Sequence, residues 1–521
     1  MKKIMIAGLL LSVAVLGRAQ TMDAALEMSD YNYYGTARSM ALGNAMVAIG
    51  GDLGSIGLNP AGSAVAGYSQ FTFSPGYTSI GSQTSFKAPE TTARFTADRK
   101  YGKMILPNVG ITMNFDMGGK SGMKNMTFGF VANTTSDYAG RFGIFGENYS
   151  TSMFGALAQL ANGYPYQDFE EETSNYWDLT SAFQSYLIDL LKGYDDMYIG
   201  ATENKYVRPN GDIDIELADG IGQNYDRRRL GYKTDMVMNF AMNFSDALYA
   251  GVNLGIPIYE SYDEFTFTET PLKEGLFQTG FQEGVYNEYT SRSGGGIYAK
   301  LGVIWRPIGG LRLGVTYQTP TALSVTEYYG YYGKSTLYDD ETGRYKTREY
   351  TSPEGEYNYT LTTPGFFSVG AAYTLPFGFV SADFDRTDYR TMRYSSYDRY
   401  YTGSYDEVNA KIRSEAGIAT AIRLGAEARI SPEFSLRAGY NRRDYRTAQD
   451  NAVRSAYSVG FGYSSSDSFF FDLALRWNKY PSTMNYPYDV YDDSWALIYE
   501  SPVYEMVKKN MDLVLTFGWR F

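Results

Sequence analysis

Cysteine and histidine are both missing from all 521 residues of the chain. Without them there can be no Ser-His-Asp or Cys-His relay, no Cys/His zinc centre, no thiolate-held iron–sulfur cluster and no histidine-ligated haem. No catalytic residue, metal or cofactor is therefore expected. Basic residues are in deficit, 46 Lys and Arg against 58 Asp and Glu, giving −12 overall. That is the wrong sign for a nucleic-acid binder, whose affinity comes from neutralising phosphates. Beyond the N-terminus no apolar run approaches the ~18 residues of a spanning helix, so any membrane crossing in the exported chain must be made of strands. Glycine (55), tyrosine (50) and phenylalanine (30) are abundant instead, a composition that suits many short strands better than packed helices.

The N-terminus carries an export signature. Lys2 and Lys3 form a positive start, Ile4 to Leu16 an apolar stretch, and Gly17-Arg-Ala19 a small-residue ending, so residues 1–19 are expected to be a signal peptide cut before Gln20. Losing Lys2, Lys3 and Arg18 takes the mature charge to −15. No cysteine follows the apolar stretch, so an N-terminal lipid anchor is excluded.

Alternation dominates the rest. In Met511-Asp-Leu-Val-Leu-Thr-Phe-Gly-Trp-Arg-Phe521, the odd positions are all apolar, while Asp512, Thr516 and Arg520 fall on the opposite face. The same split recurs at Phe469–Trp477, Ile418–Ile430 and Leu311–Tyr317. Segments of about ten residues that end in Trp, Tyr or Phe match an apolar band with aromatic girdles. The pattern predicts fourteen strands, near 68–78, 108–116, 126–134, 234–244, 247–265, 293–305, 311–328, 356–374, 377–393, 410–430, 434–446, 452–463, 468–480 and 506–521. Short turns at Ser245-Asp246, Arg306–Gly310, Leu375-Pro376 and Ser431-Pro432 alternate with longer acidic, Tyr-rich loops. The expected fold is all-β, an antiparallel transmembrane β-barrel of about fourteen strands spanning 68–521, with both chain ends on one side.

Two segments stand outside that wall. Residues 20–67 are small and Gly-rich, and a barrel of fourteen strands encloses a lumen too wide for side chains alone, which makes them an expected N-terminal hatch. The connection at about 135–231 is far longer than an ordinary loop. Within it Phe183, Tyr186, Leu187, Leu190 and Leu191 recur at helical spacing, with Thr180 or Ser181 as cap and Gly193 as stop; Met153, Phe154, Leu157, Leu160 and Ala161 repeat the pattern before Gly163. Such stripes either pack on each other and on the barrel rim or offer a greasy landing site for a ligand.

Gly35-Thr-Ala-Arg38, Gly43-Asn-Ala45, Asn59-Pro-Ala61, the helical long loop, Leu313-Gly-Val-Thr-Tyr-Gln-Thr-Pro320, Pro364-Gly-Phe-Phe-Ser-Val-Gly-Ala-Ala-Tyr373, Leu424-Gly-Ala-Glu427, Leu436-Arg-Ala-Gly-Tyr440 and the terminal Phe521 follow one another in an order that resembles the outer-membrane long-chain fatty-acid transporter family, FadL/TodX type. The resemblance implies a hatch-closed barrel in the outer membrane of a Gram-negative bacterium. Its cargo would be hydrophobic compounds such as long-chain fatty acids, released through a lateral opening at a kinked third strand, for which Gly129 is the expected bend. Phe154, Leu157, Phe183, Leu187 and Leu191 would then capture ligand, and Arg38, Gly43, Asn59 and Pro60 would gate it. The expected partners are outer-membrane lipid and lipopolysaccharide, a hydrophobic small molecule and the barrel assembly machinery.

Lumen-facing alternates include Asp383, Asp385, Arg423, Glu427, Arg429, Arg437, Asp472, Arg476 and Arg520, which are expected to pair with each other and with the hatch. Asp339-Asp-Glu341 and Asp489 with Asp492-Asp493 lack calcium-loop spacing, and Gly294-Gly-Gly296 lacks the context of a phosphate loop. The alternative reading of function is a barrel that serves as an attachment or secretion partner for surface proteins. A membrane hydrolase has no supporting residue set.

Overall fold

The computed structural model describes residues 20–521 apart from 90–93, 120–121, 171–173, 175, 340–341, 397–403, 445–452, 466–467, 486–488 and 492–496. The expected signal peptide, the acidic pairs at 340–341 and 492–493 and the Tyr400-Tyr401 run lie outside the described residues. No described helix is long and apolar enough to cross a membrane.

Fourteen antiparallel strands form the wall. They are β1 (Gln70–Lys87), β2 (Phe95–Asp116), β3 (Met123–Asp137), β4 (Ile221–Phe244), β5 (Leu248–Pro271), β6 (Glu283–Trp305), β7 (Leu311–Gln318 continued by Thr321–Asp339), β8 (Gly355–Thr363 continued by Phe366–Leu375), β9 (Gly378–Asp388 continued by Arg393–Ser396), β10 (Ile418–Arg429), β11 (Phe434–Asp444), β12 (Val453–Ser464), β13 (Phe469–Asn485) and β14 (Val503–Arg520). Each pairs with the next, and β14 closes on β1 through Phe73↔Phe517 and Lys87↔Val503. Closure removes the unpaired edges that an open sheet would expose to lipid, except along the outer part of β2, which pairs with β3 only from Asn108 onward. All fourteen predicted strands are present, most of them longer than their alternation indicated.

Proline accounts for two interruptions. Thr319-Pro320 divides β7 and Pro364-Gly365 divides β8, and the breaks lie side by side because Gln318 pairs with Phe366 and Thr321 with Thr363. A residue without an N–H cannot donate to the ladder, so facing prolines fall where neither strand needs the bond. At the β4–β5 turn Ser245 and Asp246 both have φ near +57°, the left-handed geometry that matches the strand twist across a tight hairpin. One expected strand is shorter than predicted: 410–417 do not extend β10, because α6 (Asp406–Glu415) ends there, with Val408 and Ile412 buried one turn apart.

The faces divide as the alternation requires. Phe128, Leu254, Leu301, Val315, Val380, Ile422, Leu436 and Val459 are exposed on the outside, with Trp305, Tyr317, Tyr373, Trp477 and Trp519 as large aromatics among them, while Asp383, Arg423, Asp472, Arg476 and Asp512 are buried inside. An apolar outer surface on a closed barrel is what a bilayer demands. The short turns, the start of β1 and the end of β14 lie at one end of the wall, and the long connections lie at the other.

Candidate functional site: plug, cap and wall break

The N-terminal segment fills the lumen. It comprises α1 (Met22–Ser29), an extended stretch, α2 (Ala37–Ala41), α3 (Leu53–Ile56) and a 3-10 turn at Pro60–Val65, and almost all of 33–64 is buried. Side chains from around the wall bond its backbone. Asn239 donates to the Pro60 carbonyl (3.0 Å), Asn253 to Ile56 (2.8 Å), Arg312 to Ile49 (2.8 Å) and Arg476 to Tyr33 (3.0 Å), while Asp383 accepts from Val47 N–H (3.0 Å). The expected hatch residues are part of this fastening. Arg38 pairs with Glu427 at 3.0 Å, and Asn59 donates to Val47 and Val303 carbonyls while its Oδ1 accepts from Ala61 N–H. Gly43 has φ +62°, and a Cβ there would meet the Tyr440 backbone at 2.8 Å. On the wall, Gly302 is needed for a related reason, since a Cβ would fall 2.0 Å from Asn59 Oδ1.

Most of the expected luminal charges are paired, whereas Arg520 donates to Ser464 Oγ at 3.0 Å and lies over the Tyr68 and Phe470 rings. Arg423 meets Asp385 at 2.6 Å, Arg437 meets Glu427 at 2.7 Å and also Asp472, and Arg476 meets Asp512 at 2.9 Å. Arg429 is exposed at the turn end of β10 rather than luminal.

The long connection is a folded cap. Gly140–Asn148 and the first half of β4 belong to a paired ladder, so the cap proper runs from about 149 to 220. The helix α4 (Met153–Ala161) forms as expected, with Ser152 as its cap. The second helix differs. α5 spans Trp177–Gln184, Tyr186 turns the chain with φ +56°, and Ile188–Leu190 is a strand paired with Tyr198–Gly200. The apparent helical spacing of Phe183, Leu187 and Leu191 is thus a correction: it bridges a helix and a hairpin that share one core. Phe154, Leu157 and Leu187 are fully buried, Leu191 nearly so, and Phe183 packs against the same cluster, with Phe169, Tyr198 and Phe281. Of the five residues expected to capture ligand, Phe154, Leu157, Phe183 and Leu187 share the interior of the cap, and Leu191 is buried in the hairpin beside it.

Beneath α4 lies a buried acid. Glu203 accepts from Gly200 N–H at 2.7 Å and sits against Gly155, where a Cβ would be 2.5 Å from its Oε1. Burial raises its carboxyl from the usual 4.5 to about 7. The folded cap therefore holds this proton over a range in which the unfolded chain has lost it, so cap stability should fall as pH rises from about 4.5 to about 7 and level off above. Glu203→Gln is expected to reduce that slope, measured by amide exchange of Ala156–Ala161 between pH 4.5 and 8.

The wall breaks in β3. β2 and β3 pair regularly up to Asn108↔Asn133, and Gly129 lies within that ladder, opposite Thr112 on one side and Asn239 on the other. The expected bend at Gly129 is therefore corrected to Thr134–Ala139, where the register slips and β2 parts from its neighbour. The plug engages this spot. Asn32 N–H donates to Thr135 O (2.7 Å), Tyr34 N–H to Thr134 O (3.1 Å) and Ser136 Oγ to Asp30 O (2.9 Å). A narrow cavity lies one strand away, between α1 and the plug, lined by Met28, Tyr31, Lys233, Asp235, Tyr298 and Phe366. Lys233 and Asp235 are the ladder partners of Ser136 and Asn133, so the cavity backs directly onto the break. The cavity is small, about 40 Å³, and its polar groups are engaged: Lys233 Nζ donates to the Met28 carbonyl at 2.9 Å and to that of Asp30, and Asp235 accepts from Tyr298 Oη at 2.7 Å. Sequence reasoning missed Asp30, Asn32 and Thr134–Ala139, because backbone pairing between a plug and a wall leaves no periodicity.

No protein-family model matches the sequence, and no curated protein matches it. Among solved structures, a FadL homologue from Pseudomonas aeruginosa aligns over 94% of this chain and 99% of its own, at 10% identity and a TM-score of 0.51. The toluene transporter TodX of Pseudomonas putida aligns over 94% and 99%, at 12% identity and a TM-score of 0.48. The likeness to the first is one of architecture: in fold, this chain is a barrel of the FadL type.

Proposed function

We propose that the protein is an outer-membrane channel for passive uptake of hydrophobic compounds in a Gram-negative bacterium, exported by its signal peptide and assembled by the barrel machinery that reads the strand ending in Phe521. The observation that supports this most is the cavity beside the plug, backed by a break in an otherwise closed wall. The plug is fastened to strand after strand, which disfavours an axial pore, whereas the break gives an apolar molecule a side exit toward the lipid it prefers. Such a molecule gains about 25 cal/mol for each Å² removed from water, so capture needs no catalytic group. Long-chain fatty acids are one cargo of this class; the cavity, at about 40 Å³, is too small for a whole chain, so passage requires the plug to yield beside it.

The test is uptake into vesicles that carry the purified barrel, comparing a fluorescent fatty acid, a neutral aromatic hydrocarbon and a hydrophilic sugar. Entry of either lipophile but not of the sugar is expected. Equal entry of all three would identify a general pore, and entry of none would overturn the transport reading in favour of surface-protein attachment.

A further inference from the structure

Above the break, the strand Gly140–Asn148 leaves the wall. One of its edges pairs with β4, from Gly140↔Arg229 to Asn148↔Ile221, but β2 residues 95–107 have no ladder partner on that side among the described residues. The strand lies instead across the inner surface of β1, β2 and β14. Gly146 passes so close to the inward-facing Phe86 that a Cβ would be 2.1 Å from its ring, and Gly143 lies against the Arg99 guanidinium. Three wall side chains hold its leading end. Lys103 on β2 pairs with Asp137 at 3.0 Å, Lys508 on β14 donates to the Ala139 carbonyl at 2.7 Å, and Ser82 on β1 donates to the Arg141 carbonyl at 2.6 Å. Asp137 also accepts from Ala139 N–H at 2.9 Å, which ties the pair to the backbone that turns inward.

The far end of this strand runs into the cap. Asn148 accepts from Ser150 and Thr151 N–H groups, and Ser152 then caps α4. The near end abuts Thr134–Ser136, which the plug segment 30–34 bonds. Residues 137–148 thus connect the cap, the plug and the gap, and stand between the lumen and the gap.

We propose that residues 137–148 are a shutter over the gap in the wall, latched to the inner surface by Lys103–Asp137, Lys508 and Ser82, and that a lipophile leaves the lumen when the latch releases. The inference rests on the transport reading above and adds its control point. The Lys103–Asp137 pair suits a latch because only one partner is buried: Lys103 keeps 22% of its side chain exposed and Asp137 keeps 4%. Lys103 can therefore regain water when the pair parts, which makes release less costly than for a pair buried on both sides.

The cysteine-free chain makes the test clean. Lys103→Cys with Asp137→Cys would be joined by a short bis-methanethiosulfonate, whose links a thiol reductant cleaves, with folding checked by resistance to SDS before heating. The linked barrel is expected to lose at least nine-tenths of its uptake of the fluorescent fatty acid, and reductant to restore it. Asp137→Asn, which keeps the shape and removes the charge, is expected to raise the uptake rate about two- to fivefold. Uptake by the linked barrel at the unlinked rate would overturn the shutter while leaving transport intact, as would an unchanged rate in Asp137→Asn. Failure of the unmodified protein to take up any lipophile would instead overturn the transport reading, and the shutter with it.

Discussion

Leu187→Ser is expected to loosen the cap by about 3–5 kcal/mol while leaving the barrel folded. Leu187 is fully buried between α4, α5 and the Ile188–Leu190 hairpin, in one cluster with Phe154, Phe169 and Tyr198. Its backbone is fixed too, since Leu187 N–H donates to Ala182 O and Ala201 N–H donates to Leu187 O. Serine would remove the apolar side chain, leave a void in a core that cannot collapse around it, and bury a hydroxyl. Limited proteolysis should then cut within 149–220 in the variant and spare it in the parent protein, while the SDS-resistant barrel persists. If ligand capture also fell, the loss would follow from disorder of the cap. A landing role for this stripe would instead require weakened capture with the protease pattern unchanged.

The second large effect distinguishes neighbouring positions on β13. Leu473 points outward and is half-buried, whereas Ala474 points inward, is fully buried and packs with Ala37, Met40 and Ala41 of the plug. Leu473→Arg should cost roughly 2–4 kcal/mol, the penalty for a cation near the bilayer midplane, and the loss should appear in unfolding from lipid vesicles. Ala474→Arg has no room against α2. It should displace the plug, so protease should reach residues 20–67 from the end that carries the short turns. A harmless Leu473→Arg would mean that the outward face does not meet lipid.

These two positions also indicate how far the sequence could be read. Alternation placed Leu473 outside and Ala474 inside, because a strand in a closed barrel has one greasy and one luminal face and period two records that choice at every residue. It did so as well for the terminal strand through Trp519, for Ile418–Ala428 and for Leu311–Tyr317. The facing prolines in β7 and β8 were visible as motifs, but not as neighbours, since pairing between strands distant in sequence is a property of register. Helical spacing, by contrast, misled at Phe183–Leu191. Apolar residues three and four apart can converge on one core from a helix and a hairpin as well as from a single helix, and Tyr186 at positive φ is the turn that periodicity cannot detect.

Composition and alternation alone thus determined a cysteine-free, closed β-barrel with a small-residue N-terminal plug and a helical cap, because each of those rests on local chemistry repeated along the chain. Only the tertiary structure decided where the pairing of the wall breaks. Gly129, the expected bend, is paired on both sides. The break falls at Thr134–Ala139 because the plug supplies backbone partners at Asn32 and Tyr34, and because Lys103, Lys508 and Ser82 draw the following residues inward. Those contacts join residues up to some hundreds of positions apart, and long-range hydrogen bonds and ion pairs carry no signature in the spacing of either partner.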